Sequence, residues 1–344
     1  MTRVLYGVSP IGLGHASRAV AIGEELAKQG AEVTFATGGP AAGLLRSYGF
    51  DVRDAVREPN PILWRRRTIF SSLWYFRYWR GYNASRAKMK PLEKEVRPDI
   101  VVGDEEFSVL SLAAKSGLKS IMISDELELG FAKTFLSRSI ESRVAKWYKE
   151  LQDSVSLLIV PDNGVDEGNM WHCGPVVRRI TAGRAETRWA LGLPVQSSLI
   201  LVSLSGSGSG EYLIPAVEKV VKHEALDVTV AVAGAKPAPT RGRIHYLGFV
   251  RELQNLIAAS DLAISQAGKS TIDEAASCGT PLIAIPLKNH FEQEENAKAL
   301  GFSHSDTSRL GRLIEERLGN RSRPKNYDGA KRAAAKILEM AQQR

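Results

Sequence analysis

The chain has 344 residues, 44% of them hydrophobic, enough to bury a sizeable core, and that length favours two domains over one. A formal net charge of +8 favours an anionic partner: nucleic acid, a phosphorylated ligand or an acidic membrane surface. Two distant cysteines, Cys173 and Cys278, exclude a disulfide framework, no apolar run approaches the ~20 residues of a membrane span, and the strand-like start leaves no secretory leader, so a cytoplasmic protein is expected.

The first half alternates short apolar strands with helical patterns, as parallel strands with crossover helices do. RVLYGV runs into the turn SPIGLGH and a helix from Ala16 to Gln29. Ala16, Ala19, Val20, Gly23 and Ala27 fall on one stripe with the period of a helix face packed on a sheet, and Gly30 ends the helix. Gly12, Gly14, His15 and Arg18 mark the turn at the carboxyl end of the first strand. A histidine there suits a general base near neutral pH, and the glycines let a substrate approach; a structural histidine at a helix start has the same pattern.

EVTFAT follows, and then PILWRRRTIFSSLWYFRYWRGYNASRAKMK, with eight Lys/Arg, no acid and three of the six Trp. Phe70, Trp74, Tyr78 and Tyr82 recur every four residues, so one helix face is expected to be aromatic with arginines beside it. That suits an interfacial helix on an anionic leaflet; core aromatics under a long helix and a dimer face are the competing readings. Asp104, Glu105, Glu106 and Asp125 then follow the ends of the strands DIVVGD and SIMISD and rival His15 as bases. Helices are expected near Val109 to Lys115 and near Leu136 to Leu151, before the strand LLIVPD.

Turn formers in PDNGVDEGNMWHCGPVVRR interrupt this series, and a second one follows: SLILVSLS, DVTVAVAG, IHYLG, DLAISQ and PLIAIP. The expected organisation is a first doubly wound domain over 1–161, a hinge at 162–175, a second domain over 176–325, and a helix over 326–344 packing back on the first. SLILVSLS leads into SGSGSG, where glycines expose backbone N–H groups and serines add hydroxyl donors to phosphate; a flexible loop is the alternative.

DLAISQAGKST ends in Gly268-Lys269-Ser270-Thr271, the closing letters of a nucleotide-triphosphate loop, but G-x-x-x-x-G-K-[ST] requires a glycine where Ala263 stands. What survives is a strand, a small-residue turn and a helix N-terminus suited to an anion. Glu274 in that helix suits ribose hydroxyls, or else closes a capping box on Thr271. Glu292, Gln293 and Asn296 follow another strand end, as ligand contacts or as a solvated helix start. The six scattered His form no metal cluster.

GLGHASRAVAIGEEL, GPVVRR and YLGFVRELQNLIAASDLAISQAGKSTIDEAASCGTPLIAIPLKNHFEQEENAKAL, in this order, resemble the two-domain GT-B glycosyltransferases, and most closely glycosyltransferase family 28. That family includes the N-acetylglucosaminyltransferase of peptidoglycan lipid intermediates and the plant galactolipid synthases. The resemblance runs from Val4 to Leu300 and is poor from Pro59 to Arg97. It implies an α/β, GT-B fold: two doubly wound Rossmann-like domains facing each other across a cleft. It implies that Ser205, Gly206, Ser207 and Gly208 hold the donor diphosphate together with Gln266, Gly268, Lys269, Ser270, Thr271 and Arg178. Lys269 is the least secure of these, a candidate to face solvent. Phe249 and Val250 are then expected to border the base, Glu274 to bind the ribose, and His290, Glu292 and Gln293 to meet the donor sugar. His15 is the expected catalytic base and Asp104 its alternative, with Gly12, Gly14, Arg18 and Glu105 on the acceptor side.

The reaction this implies is inverting transfer of a sugar from a UDP-sugar, the substrate, to an acceptor hydroxyl, with no cofactor and no catalytic metal. A lipid-linked acceptor at an anionic membrane surface, with the protein bound peripherally, fits the basic-aromatic segment. Two departures matter: Gln293-Glu294 stands where the peptidoglycan enzyme has a Gln-Gln pair, and the N-terminal glycine turn is poorer, so neither sugar nor acceptor transfers. A nucleotide-sugar hydrolase and a sugar-nucleotide 2-epimerase are the alternatives. Nucleic-acid binding rests on charge alone and is not expected.

Overall fold

The computed structural model describes all residues except 57–61, 65–66, 70–71, 126–134, 205–209, 224–226 and 344, and describes no side chains for 62–64, 67–69, 72–75, 135–141 and 223. It divides into two compact units: Met1–Ile62, Phe70–Val177 and Tyr327–Arg344 form the first, and Leu63–Ile69 and Arg178–Asn326 the second.

The first unit begins with strand β1 (Arg3–Val8), helix α1 (Gly14–Lys28), β2 (Glu32–Thr37), α2 (Gly39–Ser47) and β3 (Asp51–Asp54). A short ribbon of β4 (Ile62–Trp64) and β5 (Arg67–Ile69) precedes the long helix α3 (Ser72–Val96). Then come β6 (Ile100–Asp104), α4 (Phe107–Ser116), β7 (Ser120–Ile123), α5 (Phe135–Ser154), β8 (Leu157–Val160) and β9 (Met170–His172). The sheet order is β3-β2-β1-β6-β7-β8-β9, every pair parallel. Such strands are covered on both faces, and accordingly Val4 to Val8 and all of β6 are buried. The winding reverses between β1 and β6, and open α/β sheets bind ligands beyond the carboxyl ends of the strands at that point. There Val8 pairs with Asp104. Residues 162–175, expected to be a hinge, carry β9 of this sheet, and the division between units falls after Val177.

The second unit contains α6 (Arg184–Ala190), β10 (Ser198–Ser203), α7 (Leu213–His223), β11 (Val228–Ala233), β12 (Ala238–Arg241), β13 (Ile244–Gly248) and α8 (Leu253–Ala259). It continues with β14 (Leu262–Ser265), α9 (Lys269–Cys278), β15 (Leu282–Ala284), α10 (Phe291–Ala299), a 3-10 turn (His304–Arg309) and α11 (Leu310–Arg317). Its sheet runs β12-β13-β11-β10-β14-β15, parallel except for β12. The reversal lies between β10 and β14, so the turn after β14 occupies the equivalent position.

The last helix, α12 (Gly329–Gln342), belongs to the first unit and packs on α1, with Ala333, Ala334 and Ile337 in the same core as Ala16, Ala19 and Val20. Because α1 meets both the sheet and α12, it is buried continuously from Ala16 to Gly23, wider than the single stripe expected, and Leu26 rather than Ala27 continues the buried face. Gly23 permits that approach: a Cβ there would lie 2.8 Å from the Phe35 ring.

Candidate active site

His15 and Arg18 sit three residues apart in the first turns of α1 and therefore share a face, turned to the end of β6. Arg18 grips Asp104 with Nε to Oδ2 at 2.9 Å and Nη2 to Oδ1 at 2.6 Å. His15 Nδ1 lies 3.0 Å from Asp104 Oδ1, and the Tyr6 hydroxyl donates to Asp104 Oδ2 at 3.4 Å. On the other side of the imidazole, Nε2 is 3.4 Å from Glu105 Oε2. Ser124 donates to Glu105 Oε1 at 3.0 Å and is itself 3.0 Å from the Tyr148 hydroxyl. Asp125 takes Nη1 of Arg18 at 3.4 Å, and its carboxyl group lies beside that of Glu105.

Three carboxyl groups thus converge on one guanidinium and one imidazole. Burial pulls the His15 pKa down, but Glu105 and then Asp104 outweigh it and push it up to about 10. The imidazole of the free chain is therefore a cation at neutral pH, not the neutral base its sequence position suggested. Burial disfavours ionised Asp104, yet Arg18 and the hydrogen bonds from Arg18 and His15 hold it below the usual carboxylate range. Fully buried and committed to these partners, Asp104 is an orienting group for His15 and is not placed to serve as the alternative base. Glu106 is not a base either: its buried carboxylate caps α4, accepting from the backbone N–H groups of Ser108 and Val109 at 3.2 and 2.9 Å.

Glu105 has φ 47°, and Ala267, in the corresponding turn after β14, has φ 64°. A non-glycine residue in the left-handed region costs about 1–3 kcal/mol and persists only where its surroundings enforce it, a pattern that clusters at functional sites. Gly12, also left-handed at φ 75°, lies in the turn before α1 and has nothing within 4 Å of its Cβ position.

In the second unit, Ser205, Gly206, Ser207 and Gly208 lie outside the described residues. The turn after β14 places buried Gln266 and Ala267 before Gly268, which is the N-cap of α9 and provides no side-chain cap. Because α9 starts at Lys269, Ser270 and Thr271 are in its first turn and Glu274 is well inside it. The Thr271 capping box is therefore absent. Glu274 instead meets Arg178, Nε to Oε1 at 2.8 Å and Nη2 to Oε2 at 3.3 Å, and the two side chains are each only 4% exposed. Arg178 also donates to the Arg251 carbonyl at 2.9 Å, beside Phe249 and Val250. Lys269 does not simply face solvent: its ammonium is 2.6 Å from Asp273.

His290 is the N-cap of α10, and burial holds its pKa below the ordinary value against the pull of Glu294, so it is neutral at pH 7. Glu292 is half-buried in the first turn, 3.5 Å from Asn296 Nδ2, and Asn296 also donates to the Ala267 carbonyl at 3.1 Å. Gln293 is buried, with its carbonyl oxygen accepting from Leu287 N at 3.0 Å. Asn296 thus ties the start of α10 to the phosphate-type turn. Among the described residues, no group of three His, Cys, Asp or Glu side chains is arranged to hold a metal ion.

The aromatic face of α3 differs from the one expected. Phe70 lies outside the described residues, as does the side chain of Trp74. Tyr82 points inward, donating to Ser111 at 2.6 Å and packing edge-on against Trp147, and Ser85 and Met89 continue that inner stripe. Among the described side chains of α3, Phe76 and Trp79 are the exposed aromatics, 54% and 60% accessible, with ring centroids 6.3 Å apart and exposed Arg77 and Arg80 beside them. No helix of the described residues is long and apolar enough to cross a membrane.

Residues 204–308 match the glycosyltransferase family 28 C-terminal domain, and residues 2–138 match glycosyl transferase family 1. An uncharacterized glycosyltransferase of Methanosarcina acetivorans is 25% identical over 320 residues, covering 83% of this chain and 80% of the relative. A UDP-N-acetylglucosamine--N-acetylmuramyl-(pentapeptide) pyrophosphoryl-undecaprenol N-acetylglucosamine transferase of Listeria monocytogenes is 28% identical over 308 residues, covering 83% and 80%. Among solved structures, the glycotransferase of kitacinnamycin superposes with a TM-score of 0.65 at 16% identity over 99% of both chains, a likeness of fold alone. With its two parallel-sheet units and these matches, the chain is a glycosyltransferase of GT-B fold that resembles glycosyltransferase family 28.

Proposed function

We propose that the chain transfers a sugar from a UDP-sugar to an acceptor hydroxyl with inversion, His15 removing the hydroxyl proton. The observation that carries this reading is the His15–Asp104 pair at the switch point of the first sheet: Asp104 holds Nδ1, which leaves Nε2 as the atom that receives a proton. The acceptor oxygen bonds to the anomeric carbon from the face opposite the diphosphate, and the bond to the diphosphate breaks with its electron pair on the leaving oxygen. In the second unit the start of α9, Gly268 to Thr271, supports that leaving charge through backbone N–H groups and the helix dipole, so no catalytic metal is invoked. Glu274 and Arg178 are assigned to the nucleotide, and His290, Glu292 and Gln293 to the sugar. The Listeria monocytogenes relative named above uses, by its name, UDP-N-acetylglucosamine and a pyrophosphoryl-undecaprenol acceptor, which supports a UDP-sugar and a lipid-linked hydroxyl. Phe76 and Trp79 with Arg77 and Arg80 suit peripheral contact with an anionic leaflet.

A thermal-shift panel of UDP-, GDP- and dTDP-sugars tests the donor. A ligand at 100 times its Kd stabilises the native state by about 2.7 kcal/mol, so a UDP-sugar is expected to raise Tm by several degrees and the others not. Stabilisation by a GDP- or dTDP-sugar alone would overturn the donor assignment.

A further inference from the structure

We propose that Glu105 is a positioning residue that covers Nε2 of His15 in the free chain, and that an acceptor hydroxyl gains access to the base only by displacing it. This rests on the reading of His15 as the base. Four observations carry it. Glu105 Oε2 lies 3.4 Å from Nε2, the one ring nitrogen that Asp104 does not hold. Ser124, backed by Tyr148, fixes the other Glu105 oxygen at 3.0 Å. The Glu105 backbone is held at φ 47°, where a side chain of this kind stays only under constraint from its surroundings. The charged groups around the ring are Arg18 from α1, Asp104 from the end of β6, Glu105 itself and Asp125 after β7, with Tyr6 of β1 bonded to Asp104. Three carboxyl groups against one guanidinium favour the imidazolium, and Glu105 is the foremost contributor.

The proton balance follows. As the acceptor enters, the Nε2 proton passes to the Glu105 carboxylate, which withdraws as a neutral acid and leaves Nε2 unprotonated with Nδ1–H still donated to Asp104. The acceptor hydroxyl then hydrogen-bonds to Nε2 and gives up its proton there as the new glycosidic bond forms, regenerating the imidazolium. Glu105 returns its proton to solvent. Neither oxidant nor metal enters this sequence. Ser124 and Tyr148, which no sequence motif marks, acquire a part in it by holding Glu105 in place.

The test is an NMR titration of the His15 ring in the full-length chain, for wild type, Glu105→Gln and Ser124→Ala, run beside pH profiles of kcat/KM. Glu105→Gln is expected to lower the His15 midpoint by about one pH unit or more and, with no carboxylate to take the Nε2 proton, to show in kcat/KM an acidic limb at that midpoint, which wild type lacks because Glu105 takes the proton. Ser124→Ala is expected to shift the His15 midpoint in the same direction by less, and it provides the readout if the glutamine variant does not fold. An unchanged His15 midpoint in the folded variants overturns the role of Glu105. A Glu105→Gln midpoint with no acidic limb of kcat/KM at it, or full kcat in His15→Ala, overturns the base assignment and leaves the Glu105–His15 contact established.

Discussion

Asp104 Oδ1 lies 3.0 Å from His15 Nδ1, and the same carboxylate accepts two bonds from Arg18, at 2.9 and 2.6 Å. The guanidinium keeps Asp104 ionised within the core, and both Asp104 and Arg18, whose Nη2 is 3.0 Å from Nδ1, hold the imidazole ring in its orientation. Asp104→Asn preserves the shape and removes the charge. It is expected to lower kcat by about 10²–10⁴, the usual worth of a positioned base, with donor affinity unchanged by calorimetry. A kcat within twofold of wild type would remove Asp104 from the mechanism.

The high pKa of His15 makes stability depend on pH with a defined sign. Its folded value of about 10 lies above the ordinary value of 6.5, so folding binds a proton. The stabilising contribution is complete below the unfolded value and is lost as pH rises through about 10. Asp125 acts in the opposite sense: although burial opposes it, Arg18 above all holds its pKa below the usual range, so its contribution is lost as pH falls. Urea denaturation of wild type and His15→Ala checks the histidine. The stability gap between them should be larger near pH 6 than near pH 10, and a gap that widens with pH would contradict the charge arrangement.

The division into two α/β units was legible in the alternation of RVLYGV, EVTFAT and DIVVGD and in the second series from SLILVSLS, because buried parallel strands leave continuous apolar runs. His15 and Arg18 were legible because helix spacing alone puts them on one face. What sequence could not supply was the partner across the fold. Arg178 and Glu274 are ninety-six positions apart, and their pairing depends on where α9 begins. Neither reading of Glu274, as a ribose contact or as the end of a capping box on Thr271, pointed to it. Likewise, the four-residue recurrence of aromatics in α3 identified a stripe but not its direction, since only the packing of Trp147 and Ser111 turns Tyr82 inward and leaves Phe76 and Trp79 outside.

That outward pair is the part of α3 to test against membranes. Each basic residue near an anionic leaflet contributes roughly 1 kcal/mol, and aromatic rings add interfacial contact. Phe76→Ser with Trp79→Ser is expected to abolish co-sedimentation with phosphatidylserine-containing vesicles while leaving the fold intact. Arg77→Ala with Arg80→Ala is expected to reduce binding about tenfold or more at low salt and less at high salt. Equal sedimentation of wild type and the Phe76/Trp79 variant would dismiss this face as the contact.

The buried Arg178–Glu274 pair separates structural from donor-binding roles in the second unit. Both side chains are out of solvent, and Arg178 spends a further bond on the Arg251 carbonyl next to Phe249. Removing one partner of such a pair leaves a buried charge uncompensated and costs about 3–5 kcal/mol, whereas removing both together is far less harmful. Arg178→Met is therefore expected to lose about 3–5 kcal/mol in denaturant unfolding, and Arg178→Met with Glu274→Gln to regain most of it. Glu274→Gln alone keeps an acceptor for Nε and is expected to fold, yet to bind the UDP-sugar at least about tenfold more weakly if the carboxylate takes the ribose hydroxyls, since hydrogen bonds to charged groups contribute about 1.5–3 kcal/mol. Donor affinity by calorimetry decides between the roles. Unchanged affinity in the folded Glu274→Gln protein would confine the glutamate to holding Arg178, and the nucleotide contacts at this turn would then fall to the backbone of Gly268 to Thr271.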